Sequence, residues 1–135
     1  MPPRTKLHAE VTAWVDKAKT DARAADHALT ATPPMRDIAL FHYQQAAEKI
    51  IKAFLCFHEA EIPKTHSIAD LGFRAAQIDP TLEPTLRNAT ALSAYATAFR
   101  YPGELDEPDE TDVLEAKAAV TPLFSEIQKR LAQGV

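Results

Sequence analysis

Gln44-Gln45-Ala46-Ala47-Glu48-Lys49-Ile50-Ile51-Lys52-Ala53-Phe54-Leu55, followed by the turn Pro63-Lys64-Thr65-His66-Ser67-Ile68-Ala69-Asp70-Leu71, decides how this chain reads. Apolar residues in the first segment recur at helical spacing, while Gln45, Glu48, Lys49 and Lys52 fall at steps of 3, 4 and 7. Those steps place the four polar side chains in one row, where they can face a partner or a ligand. On spacing alone, Glu48 and Lys52 read as a solvated i, i+4 ion pair in the favourable order, worth a few tenths of a kcal/mol. A Lys ammonium with neighbouring donors also suits an anion such as a phosphate, and a carboxylate like Glu48 can orient Lys52 or Arg100.

Outward from that segment the chain keeps one period. Leu7, Val11, Trp14, Val15, Ala18, Ala22, Ala25 and Leu29 define the apolar face of a long first helix, stopped by Thr32-Pro33-Pro34. The second helix is expected from Arg36 to Glu59, burying Leu40, Tyr43, Ala47, Ile50, Ile51, Phe54 and Leu55. Ile62-Pro63 ends that run. Ser67 with Asp70 three residues on resembles a capping box for a short third helix carrying Ile68, Leu71, Ala75 and Ile78. Asp79-Pro80 starts a fourth, or Pro84 does slightly later, with Leu82, Leu86, Ala89, Ser93, Ala96 and Phe99 inward. A last helix, from about Asp109 to Ala132, shows Val113, Ala116, Val120, Leu123, Ile127 and Leu131, with a bend or break expected at Pro122. Short connections and the lack of any repeat predict an all-α, antiparallel up-and-down bundle of about five helices, one domain over 1–135.

Composition agrees with a small helical domain. The 135 residues are 46% hydrophobic and 25% charged and include three Gly, which disfavours tight-hairpin sheets. One Cys, Cys56 in an apolar run, permits no disulfide within the chain and fits a reducing compartment. No apolar stretch reaches the roughly 20 residues that span a bilayer, and the N-terminus lacks a signal-like apolar segment, so a soluble, cytoplasmic protein is expected. A net charge of −4 argues against broad, charge-driven nucleic-acid binding. No Gly-rich phosphate loop, metal-ligand spacing or nucleophile-base-acid signature is present, so no cofactor and no metal is expected. His58 and His66 flank Glu61, but that loop spacing matches no standard ligand set.

Arg100-Tyr101-Pro102 supplies a second motif. Pro102 forces Tyr101 out of helical geometry, so the fourth helix is expected to end here with Arg100 at its negative pole. The run from Glu104 to Glu115 holds seven acidic residues and no basic one, the pattern of a solvated loop or of a docking strip for a basic partner.

Taken together, the Gln45, Glu48, Lys49, Lys52 row, the Lys64-Thr65-His66 turn and the Arg100-Tyr101-Pro102 tripeptide resemble the HEPN family of small helical domains, named for nucleotide binding. The resemblance spans essentially the whole chain. It implies that Gln45, Glu48, Lys49, Lys52, Lys64, His66, Arg100 and Tyr101 line one ligand-binding groove for a nucleotide or its phosphates. It further implies a homodimer and pairing with a minimal nucleotidyltransferase in a toxin-antitoxin-like system. Ribonuclease members of that superfamily carry an Arg followed four to six residues later by His. No His follows Arg100 in this chain, so no catalytic residue is assigned; Arg36 and His42 fit the spacing but lie at the start of the second helix, where the family has no catalytic pair. A ribonuclease toxin and a purely structural dimer whose interface is the polar row are the alternative readings.

Overall fold

A computed structural model describes residues 4–96 and 107–133. Helices α1 (Arg4–Ala28), α2 (Arg36–Phe57), α3 (Ile68–Ile78), α4 (Glu83–Ala89) and α5 (Glu110–Gln133) form a bundle, and no strand occurs among the described residues. Short 3-10 segments, Pro80–Leu82 and Thr90–Ala96, flank α4. Among the described residues no helix is long and apolar enough to cross a membrane.

The second helix is the axis of the fold. It packs on α1, α3, α5 and the Thr90–Ala96 segment, and Leu40, Tyr43, Ala47, Ile50, Ile51, Phe54 and Leu55 are all buried. Large side chains of this kind contribute roughly 1.5–3 kcal/mol each when buried, so this stripe is the main source of stability. Helix α1 runs antiparallel to it, as the cross-contacts Trp14 to Lys52, Asp21 to Lys49 and Asp26 to Tyr43 show. Alanines at 18, 25, 39, 46 and 47 are inaccessible to solvent and let the two helices approach closely. Trp14, expected in the core, is half-buried at its edge.

Helix ends follow the expected chemistry where a cap exists. Ser67 accepts a hydrogen bond from the Asp70 amide at 3.1 Å and starts α3. Asp79 caps the Pro80–Leu82 turn through the Thr81 amide at 3.0 Å, and Pro84 lies in the first turn of α4. Helix α2 stops at Phe57, two residues before the expected end. There the Ala60 amide bonds to Leu55 and the Glu59 amide to Cys56, while Glu59 takes the left-handed conformation at φ 55°. This is a Schellman closure with Glu where Gly is usual.

Several expectations are corrected. The fourth helix is not one rod ending near Phe99: α4 stops at Ala89 and tightens into the Thr90–Ala96 turn. Hydroxyls compete with the backbone there, since Thr90 bonds to the Arg87 carbonyl at 2.7 Å and Ser93, expected in the core, accepts from the Ile68 amide at 2.8 Å. Phe99 lies outside the described residues. Helix α5 runs through Pro122 without a break; Pro122 and Ala118, whose carbonyl loses its donor, are both exposed, so water can replace the missing bond. Ile78 is exposed because the apolar stripe of α3 needs only Ile68, Leu71 and Ala75 to meet the core. The acidic run is also more than a loop. Asp109 and Asp112 cap α5 reciprocally, each backbone amide bonding to the other carboxylate at 2.9 Å. Tyr95 reports the acidic end of α5: its hydroxyl is pushed up by burial first and then by Asp112, Glu115 and Asp109.

Candidate functional site

Two carboxylates organise the polar face of α2. Glu48, only 3% exposed, receives the Lys52 ammonium on Oε2 at 3.0 Å and the His66 Nδ1 on Oε1 at 2.8 Å. Lys52 is 8% exposed, and its ammonium also lies 5.6 Å from the Trp14 ring, a cation-π distance. The expected solvated ion pair is therefore a buried one. Spacing at i, i+4 carries no information on depth, and here Trp14 and the chain before α3 roof the pair over. A carboxylate this deep is tolerable because it is saturated with donors.

Gln44, fully buried one turn before Glu48, adds a third arm. Its Nε2 donates to Glu48 Oε1 at 3.4 Å and to the His66 carbonyl at 3.3 Å, tying the loop to the helix. Its Oε1 is buried with no donor among the described residues, an acceptor whose desolvation costs roughly 1–3 kcal/mol. His66 itself is different: its side chain is 76% exposed although one nitrogen is fastened to a buried carboxylate.

The second carboxylate is Asp21 of α1, also buried. It accepts from Lys49 at 2.5 Å and from His42 Nδ1 at 2.9 Å, both on α2. Lys49 thus belongs to a helix-to-helix brace and is separate from Lys52. Gln45, half-buried, lies by helical spacing between the two clusters. Lys64 is exposed on the turn two residues before His66 and makes no ion pair among the described residues. Arg100 and Tyr101 lie outside the described residues. The structure therefore brings Glu48, Lys52 and His66 together and separates Lys49 from them.

Three participants have no place in the sequence reading of the site, Gln44, Trp14 and Asp21, and His42 enters that reading only as a spacing match to Arg36. Gln44 and Trp14 look like ordinary members of a buried stripe. Asp21 had a legible signal, because it interrupts the inward row Ala18, Ala22, Ala25 with a charge that must find a partner.

Elsewhere, an open cleft of about 570 Å³ between α1, α2 and α5 is lined by Asp26, Tyr43, Lys117, Thr121 and Gln128 among others, and contains none of the expected site residues. Tyr43 donates to Asp26 there; burial first, and then the Asp26 carboxylate, drives the phenol pKa upward, so it stays protonated. Burial raises the pKa of the Cys56 thiol as well, with Glu10 adding to the effect, which agrees with a packing role. No group of three His, Cys, Asp or Glu among the described residues is placed to hold a metal.

A family model described as HEPN domain matches residues 11–130. No curated protein and no solved structure matches the chain.

Proposed function

The chain belongs to the HEPN domain family, and from that premise we propose that it binds a nucleotide through its phosphates at the mouth where α2 meets the turn before α3. In this reading it acts as a non-catalytic, homodimeric partner of a minimal nucleotidyltransferase in a toxin-antitoxin-like pair.

One observation carries the reading: a buried carboxylate, Glu48, fixes a histidine ring that is left 76% exposed. A buried ion pair is a poor device for stability, since apolar residues of similar volume often serve as well or better. An exposed ring anchored this firmly is, in contrast, what a ligand contact requires. Charge sharpens the roles. Lys52 and Lys49 are each neutralised by a carboxylate, so they set the frame, while Lys64 and His66 remain to meet the ligand, joined in the proposal by Gln45, Arg100 and Tyr101.

Calorimetric titration with AMP and ATP tests the binding. The proposal expects saturable binding that weakens with salt, because screening acts within about 8 Å at physiological ionic strength, and loss of binding on Arg100→Ala with the fold intact. No saturable binding up to millimolar nucleotide would reject it. Light scattering at micromolar concentration tests the dimer, for which exposed Met35 and Ile38 at the start of α2 offer apolar contact; a monomer removes that part alone.

A further inference from the structure

His66 carries a constraint that narrows what the site can hold, and the inference rests on the phosphate-binding reading above. Glu48, as the carboxylate facing the Lys52 ammonium at 3.0 Å, offers only acceptors. The 2.8 Å contact from His66 Nδ1 to Glu48 Oε1 then requires the hydrogen on Nδ1. In the neutral ring the other nitrogen, Nε2, is consequently a bare acceptor. Phosphate oxygens are acceptors too, and two acceptors repel. Nε2 can donate to an oxyanion only when the ring carries a second proton.

We infer that the site takes an oxyanion together with one proton, with His66 Nε2–H as the donor that appears on binding. The surrounding charges allow this. Glu48 and Lys52 from α2 neutralise one another, so the imidazolium adds a net positive charge where the ligand brings a negative one. Lys64 on the same turn supplies a further cation. Asp70, on the first turn of α3, is paired with Arg74 at 3.6 Å, and the α1 neighbour of Lys52 is the uncharged Trp14. Gln44 holds the His66 backbone at 3.3 Å, so the ring meets the ligand without reorganising the turn. A ligand offering only N–H or O–H donors would instead bind the neutral ring with no proton taken up.

Titration of the full chain with AMP at pH 8, in two buffers of different ionisation enthalpy, reads the proton directly. AMP is fully dianionic there, its second phosphate pKa being about 6, and histidines in general change charge between about pH 5 and 8. The expected result is net proton uptake on binding and a dissociation constant that rises with pH. His66→Gln, which offers an amide donor that does not titrate, should bind with uptake near zero and a flat profile. Binding with no proton uptake in the wild type, or uptake unchanged in His66→Gln, overturns this inference and leaves the phosphate-binding reading intact. Absence of AMP binding at every pH from 6 to 8 overturns both.

Discussion

Helix α2 carries two clusters of the same composition, each a buried carboxylate holding one Lys and one His, yet they are built for different ends. Asp21 joins Lys49 and His42, both on α2, across to α1, so every member is fixed by a helix and the His is 30% exposed. Glu48 joins Lys52 on its own helix to His66 on a turn, and that ring is 76% exposed. The first arrangement closes on itself. The second leaves a donor or acceptor directed outward, which is why the ligand reading attaches to Glu48 and not to Asp21.

The largest expected difference comes from removing each carboxylate. Glu48→Ala strands the Lys52 ammonium in a nearly dry site and should cost about 3–5 kcal/mol, read by urea denaturation. Asp21→Ala releases Lys49 and His42, which both reach solvent, and should cost less, about 1.5–3 kcal/mol. Equal losses would break the comparison by making the two clusters structurally equivalent.

A surface network supplies the lower bound. Asp79 is held below the ordinary carboxylate range by the Thr81 hydroxyl first and by Arg130, whose Nε lies 2.6 Å away, second. The unfolded chain binds that proton more readily than the folded one. The contribution is therefore present above about pH 4 and fades as pH falls through the depressed value. Arg130→Ala should cost no more than about 1 kcal/mol at neutral pH, and the deficit relative to wild type should shrink on acidification. A deficit as large as that of Asp21→Ala would mean that burial does not set the scale.

The smallest effect concerns the turn that leads toward His66. Glu59→Gly relieves the left-handed strain at φ 55° and should raise stability by up to about 1 kcal/mol, with ligand affinity unchanged. Altered affinity would show that the Schellman closure, beyond Gln44, positions His66.

Much of this was legible in the sequence because helical periodicity and capping are local. The stripe Leu40 to Leu55, the Ser67 cap and the Asp79-Pro80 start need only neighbours within one turn. Depth is not local. Nothing at i, i+4 distinguishes the buried Glu48–Lys52 pair from the exposed Glu83–Arg87 pair, which has the same spacing and order on α4. The same limit hid the partner of Lys49, since Asp21 lies 28 positions away. Periodicity carries the fourth helix too far because Ser93 falls on its inward face, while the Ser93 and Thr90 hydroxyls serve the α3 start and the Arg87 carbonyl. At Pro122 sequence alone predicts a bend or a break, and only the break is ruled out by the continuous α5, because the exposure of that face is not a local property.

The most direct test of the central claim compares wild-type protein with His66→Ala in one experiment, measuring urea stability and AMP affinity together. The account predicts stability within about 1 kcal/mol of wild type, because Glu48 keeps Lys52 and the lost ring is mostly exposed, with AMP binding reduced at least tenfold. A variant that binds AMP as well as wild type would contradict the account and leave the Glu48 cluster, like the Asp21 cluster, a structural brace.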